Sequence, residues 1–397
     1  MREIELSSVI TDIAAGPFGS NLKVECFVPS GFPIVDGANL KSYKVTDNIT
    51  KFVTEKKARS LGRSIAKRGD VIVTISGTLG QISYIPDDSK YTEYLCSQRQ
   101  FRVSFDESKV YAPYLVFYFH TYEGQNKILS FANQTGVPAL SQPLKNFKKI
   151  RLQLPPLEQQ KKIASVIEAI NRKIEYNQKI NDNLYAQAKA IFDNHFINID
   201  AIPARWRKGN LLDIANYLNG LAMQKFRPQG NEIGLPVLKI KELRQGSCDD
   251  SSELCSLSIK PEYIIHDGDV VFSWSGSLLV DIWCGGTCGL NQHLFKVTSD
   301  IYDKWFYYLW TAHHLARFIA IAADKATTMG HIKREELAKA EVLIPCEEDY
   351  TSFNSIMQPI FELIISNRIE SRKLAALRDE LLPKLMTGEI DVSDVQF

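Results

Sequence analysis

The chain has 397 residues, 47 Lys and Arg against 46 Asp and Glu, a formal charge of +1 and 45% hydrophobic residues. That is the composition of an ordinary folded protein; it excludes nucleic-acid binding by a chain basic overall, and at roughly 150 residues per domain it predicts two or three domains. No run of about 18 uncharged apolar residues occurs and the N-terminus lacks the pattern of a secretory signal, so a cytoplasmic protein without a membrane span is expected.

In chain order, Phe32-Pro33-Ile34-Val35 is the first buried-strand pattern, followed by Gly69-Asp70-Val71-Ile72-Val73-Thr74-Ile75-Ser76-Gly77-Thr78-Leu79. The latter reads as a turn, a β-branched strand and a Gly/Ser loop. Gln98 to Val103 follows, then the aromatic helical pattern Tyr111–Tyr122, then Leu152-Gln153-Leu154-Pro155. All of these return in order. Leu235–Leu238 lies 203 residues on, Gly268–Leu278 lies 199 on, Gln292–Val297 lies 194 on and Val342–Pro345 lies 190 on, with a second aromatic helix over Tyr302–Ile321. The chain is therefore two copies of one mixed α/β unit, each followed by a long helix. The aromatic stripes are expected in the core, since stacking platforms use isolated exposed rings.

After the first unit Pro155-Pro156 stops the strand, and Leu157 to Phe192 forms a helix with a heptad seam: Ile163, Ile167, Ile170, Ile174, Asn177, Asn181, Leu184, Ala188 and Ile191. A second seam runs Ile356, Ile360, Leu363, Asn367, Glu370, Leu374, Leu377 and Leu381, and ends near Gly388, a C-terminal cap. Polar residues in the middle of both seams set register and partner number. Two arrangements satisfy the pattern, two helices each lying on its own domain or one antiparallel pair; equal seams in a tandem repeat favour the pair.

The phosphate-loop, dinucleotide-fold, zinc-protease and hydrolase motifs are all missing, and the seven histidines do not cluster with carboxylates. The seven cysteines are odd in number, scattered and expected to be reduced. Cys284 and Cys288 near His293 lack a second ligand pair, so no metal is expected. Two similar domains without catalytic residues suit recognition at a fixed separation.

The run Leu154-Pro155-Pro156-Leu157-Glu158-Gln159-Gln160-Lys161-Lys162-Ile163 resembles the central conserved region of the DNA-specificity subunits of type I restriction-modification systems. So does the C-terminal run Leu374 to Ile390, and the Gly-Asp-Val to Ser-Gly segments are similar to those of the family's target recognition domains. The resemblance implies an α+β fold with two target recognition domains, residues 1–154 and 197–345. Two long antiparallel coiled-coil helices, residues 155–196 and 346–397, would separate and join them. It implies a non-catalytic subunit reading one half of a bipartite double-stranded DNA target per domain. Two modification subunits would methylate adenine with S-adenosylmethionine, and restriction subunits would use ATP and Mg for translocation and cleavage; none of these cofactors is expected in this chain. The second copy departs from the motif at Ile344-Pro345-Cys346-Glu347-Glu348-Asp349-Tyr350, which puts the geometry of the second helix start in question. At ~1.5 Å per residue the first helix spans roughly 50 Å, one to two turns of DNA at about 34 Å each. The alternative is a degenerate or decoy scaffold that binds proteins without reading DNA.

Bases are read by polar loop residues and phosphates by basic ones. The expected DNA-binding residues of the first domain are Phe18, Gly19, Ser20, Asn21 and Lys23, then Ser76, Gly77 and Thr78, then Gln98, Arg99 and Thr135. Those of the second are Gln224, Lys225 and Arg227, then Lys239 and Lys241, Ser275, Gly276 and Ser277, Asn291, Gln292 and His293, and Thr327, Thr328 and His331. Gly77 and Gly276 serve either a positive-φ turn or close approach to a phosphate, and the two are compatible. The acidic residues are expected on the helices and outer faces, where modification subunits would dock.

Overall fold

The computed structural model describes residues 2–133, 136–324 and 332–392. The chain divides into two compact units: residues 1–170 with 376–397, and residues 171–375. Each therefore contains part of both long helices.

In the first unit, Ile10–Ala15, Gln100–Phe105, Val71–Thr74 and Ile82–Tyr84 form an antiparallel sheet in that order. Its counterpart in the second unit orders Asn216–Asn219, Leu294–Thr298, Val270–Ser273 and Leu279–Ile282 in the same way. Each unit adds a mixed sheet with one parallel pair, Ile34 opposite Leu95 in the first and Val237 opposite Gly289 in the second. An antiparallel ribbon then closes each domain, Arg2–Glu5 on Arg151–Leu154 and Arg207–Asn210 on Glu341–Ile344. Thus the repeat seen in the letters is a repeat of strand order and register.

The aromatic helices are core. In Ala112–His120 seven of nine residues are buried, and Trp305 and Phe306 of Lys304–Asp324 are fully buried. Burying such rings supplies much of each domain's hydrophobic stabilisation.

The first long helix is Leu157–Phe192, continued by a π-helical turn over Asp193–Ile197, and the second is Glu347–Thr387. Gly388, at φ 77°, ends the second helix. In the first unit Ile163 and Ile167 share a buried cluster with Leu382, Leu385 and Met386. In the second, Asn177 Nδ2 donates to Glu370 Oε2 at 2.8 Å and to Ser371 Oγ at 3.2 Å, Asn181 Nδ2 donates to the Ile364 carbonyl, and Asn367 Nδ2 donates to Asn181 Oδ1 at 2.9 Å. These rungs run in opposite chain directions, so the helices pair antiparallel through their asparagines.

The first seam stands as read: Ile170, Ile174, Leu184 and Ile191 are half-buried and Ala188 is buried. The second seam is displaced by one residue over much of its length. Ile356, Leu363 and Leu377 are exposed, while Met357, Phe361, Ile364 and Leu382 are buried; Ile360, Leu374 and Leu381 are half-buried. The reason is that this helix serves two surfaces. Arg368 and Arg372, four residues apart, reach Asp281 and Asp267 of the second domain at 2.7 Å each while Asn367 and Ser371 face the first helix. That widens the buried arc and rotates it off the apolar letters. The helices are not an acidic surface either: the first has six basic against four acidic side chains and the second five against seven.

Candidate nucleic-acid interface

In both domains the Gly-Asp turn builds the strand that carries the candidate loop. Gly69 and Gly268 take φ of 84° and 87°, which only glycine adopts freely. Asp70 Oδ2 accepts the Lys67 N–H at 2.9 Å and Asp269 Oδ2 accepts the His266 N–H at 2.8 Å, so each aspartate closes its own turn. The strand that follows is buried, and the chain emerges over Ser76-Gly77-Thr78 in the first domain and at Gly276-Ser277, after the buried Ser275, in the second. Gly77 has φ 97° and its N–H donates to the Pro138 carbonyl at 2.9 Å. A Cβ there would meet nothing nearer than Arg99 Nη1 at 3.8 Å, and one on Gly276, φ 62°, nothing nearer than Ile240 Cδ1 at 3.6 Å. Backbone conformation, not crowding within the chain, is what requires glycine at both.

In the first domain Ser76, Gly77, Thr78, Gln98 and Arg99 line one cleft of about 590 Å³. Gln98 has a structural task here: its Nε2 donates to the Leu22 carbonyl at 2.8 Å and to the Gly19 carbonyl at 3.2 Å. This ties the exposed segment Phe18, Gly19, Ser20, Asn21 and Lys23 to the Gln98 turn, with the Phe18 ring 83% exposed. Thr135 lies outside the described residues.

In the second domain Gln224, Arg227, Lys239, Lys241, Asn291, Gln292 and His293 converge on a cleft of about 440 Å³. Lys225 is exposed but does not line it. Lys239 Nζ and Arg227 Nη2 share the Glu253 carboxylate at 2.5 and 3.0 Å, and chiefly the Lys239 hydrogen bond holds that carboxyl below its ordinary pKa. Lys241 reaches Ser251 Oγ at 2.7 Å. Ser275 and Asn291 are buried: Ser275 Oγ meets His293 Nδ1 at 3.0 Å, and Asn291 Oδ1 accepts the His293 N–H at 3.2 Å. They hold the histidine in place from beneath, while Gly276 and Ser277 are exposed. Thr327, Thr328 and His331 lie outside the described residues.

Sequence reading missed the crossing glycines. A Cβ on Gly16 would lie 1.8 Å from the Ser97 carbonyl oxygen, and one on Gly220 2.2 Å from that of Asn291. Their N–H groups donate to the Gln100 and Leu294 carbonyls at 2.8 and 3.0 Å. Only glycine lets the first strand cross so close beneath the cleft turn. Extending the repeat upstream by the offset of 204 would have found them. Missed too were Asp36, Lys51 and Glu253, which line the clefts. Among the described residues no group of three or more His, Cys, Asp or Glu is placed to hold a metal ion.

The family model for the type I restriction modification DNA specificity domain matches residues 28–186. The MjaIX specificity subunit of a type I restriction enzyme from Methanocaldococcus jannaschii is 24% identical, the match covering 97% of this chain and 93% of the relative. The chain is thus similar to the type I restriction-modification specificity subunits, by the family model over residues 28–186 and by the MjaIX relative along most of its length. The MjaVIII specificity subunit of the same organism is 23% identical over 66% of this chain and 67% of its own length. A crystal structure of the type I system S subunit from M. genitalium shares the fold, with a TM-score of 0.59 at 13% identity over 97% of this chain and 95% of that one. No helix among this chain's described residues is long and apolar enough to cross a membrane.

The departure at the second helix start leaves its geometry unchanged. Both helices begin three residues after the last residue of their strand, Leu154 to Leu157 and Ile344 to Glu347. Gln160 of the specificity motif is fully buried; it accepts the Tyr111 N–H and donates to the Pro155 carbonyl, each at 2.9 Å.

Proposed function

We propose that each cleft reads one half of a bipartite double-stranded DNA sequence while the paired helices set the unread gap and dock two modification subunits. The observation that carries this reading is that repeat-equivalent turns, Gln98–Arg99 and Gln292–His293, each line a cleft in their own domain, in a chain similar to specificity subunits, although the Ser-Gly loop lines only the first cleft. Gln98–Arg99 and Gln292–His293 supply donors and acceptors at the cleft turns. Lys23, Lys225 and Lys241 supply phosphate-directed charge on the rims. Ser275 and Asn291 act through His293. S-adenosylmethionine would be held by the modification subunits, ATP and Mg by the restriction subunits.

The test is co-expression with the modification subunit in a host free of methylation, followed by single-molecule mapping of modified adenines. A bipartite motif with a fixed gap is expected. A soluble complex that binds cofactor yet modifies nothing would overturn the reading in favour of a scaffold that binds proteins only.

A further inference from the structure

One ion pair occurs in both clefts with its charges exchanged. In the first domain Asp36 Oδ2 meets Lys51 Nζ at 2.6 Å; in the second Lys239 Nζ meets Glu253 Oε1 at 2.5 Å. The positions are equivalent by backbone geometry. The Ile34 N–H donates to the Lys51 carbonyl at 2.9 Å, and the Val237 N–H donates to the Glu253 carbonyl at 2.7 Å. The Asp36 N–H donates to Asn39 Oδ1 at 3.1 Å, and the Lys239 N–H to Glu242 Oε2 at 3.2 Å. Position 36 maps onto 239 and 51 onto 253, within one residue of the same offset.

Neither pair is needed to fill a core, since all four side chains are between 21% and 49% exposed. An exposed pair of this kind contributes little to stability. Both line their clefts beside the candidate reading loops. The polarity differs: the residue that opens the short helical turn after the parallel strand is acidic in one domain and basic in the other, and in the second domain Arg227 also shares the Glu253 carboxylate at 3.0 Å.

We propose that this exchanged pair makes the two domains choose different bases. An ammonium favours a base edge rich in acceptors, such as guanine O6 and N7; a carboxylate favours an exocyclic amine, such as cytosine N4. Exchanging the two charges reverses the order of donor and acceptor across the cleft. One fold thereby adds to the unlike loops a second means of selecting unlike half-sites. The inference rests on the reading of the clefts as DNA-reading surfaces.

The experiment uses the full chain in complex with its modification subunit, selecting bound DNA from a library randomised in both half-sites. Asp36→Lys with Lys51→Glu retains an ion pair while reversing it. Expected is a shift of about tenfold in base preference at one or two positions of one half-site, the scale of a single base contact, with the other half-site and the gap unchanged. Asp36 also caps its turn by accepting the Ala38 N–H at 2.9 Å. The mirror variant, Lys239→Glu with Glu253→Lys, removes no such cap and tests the other half. Unchanged preferences, shifts in both halves at once, loss of all selection by an assembled complex, or failure of both variants to assemble would each overturn the proposal. A wild-type complex that selects no bipartite sequence would instead refute the function of the clefts.

Discussion

Tyr350 accepts the backbone N–H of Asp303 at 2.7 Å and donates to its carboxylate at 2.9 Å. Gln160, 190 residues earlier, performs the same service for the Tyr111 N–H. The two domains fasten their long helices to the entry of their aromatic helices with different side chains. Gln160→Ala leaves the Tyr111 N–H and the Pro155 carbonyl without that partner and is expected to cost ~2–3 kcal/mol, against ~1–2 kcal/mol for Tyr350→Phe. Urea denaturation of the purified chain measures both; a smaller loss for Gln160→Ala would show that water replaces the amide.

The asparagine rungs predict a trade of stability for pairing fidelity. Asn181→Leu alone leaves the Asn367 amide without the acceptor it has now and should destabilise by ~1–3 kcal/mol. Asn181→Leu with Asn367→Leu should recover that loss and weaken the choice of partner, seen as mixed oligomers by light scattering. A double variant no more stable than the single one would contradict the account.

Acid should loosen the second domain from its helix. Burial is the largest single influence on Asp267 and opposes its ionisation, but the Arg372 hydrogen bonds, the Gly286 N–H and the charges of Arg372 and His266 together outweigh it and hold the carboxyl below its ordinary value of 3.8. A depressed carboxylate stabilises the fold above the unfolded pKa, and that contribution fades as pH falls through about 3.8 toward the lower folded value. In Arg372→Gln the part of the acid-induced loss that depends on this pair should disappear, as followed by melting temperature between pH 3 and 6.

Seven residues inserted into each long helix at facing positions add ~10.5 Å, about three base pairs at 3.4 Å each. The mapped motif should keep both half-sites and widen its gap by that amount. A gap that does not change would remove the helices from any role in spacing.

Gln98→Ala should free the Phe18–Lys23 segment without unfolding the domain. Faster amide exchange at Asn21 and unchanged exchange over Val71–Thr74 are expected. Because the half-site preference would blur together with the loss of order, a variant with mobile loop and intact selectivity would separate Gln98 from recognition.

Much of this architecture was written in the letters. The offsets of 199 and 194 located the strands Val71–Thr74 and Gln100–Phe105 and their copies, and the first seam placed a helix at Leu157–Phe192. Such features are local: a turn needs its glycine and aspartate, and a seam its spacing, whatever lies across the fold. Tertiary structure decided the rest. The inward face of the second helix was set by Asp267 and Asp281, which lie 105 and 87 residues before the arginines they pull into the buried arc, Arg372 and Arg368. The burial of Asn291 goes with the strand crossing at Gly220, which packs against its backbone. The equivalence of Lys51 with Glu253 was hidden from any comparison of letters, because opposite charges do not look alike. It emerges only when strand register brings each beside its partner, since an ion pair depends on the distance between two side chains and not on their separation along the chain.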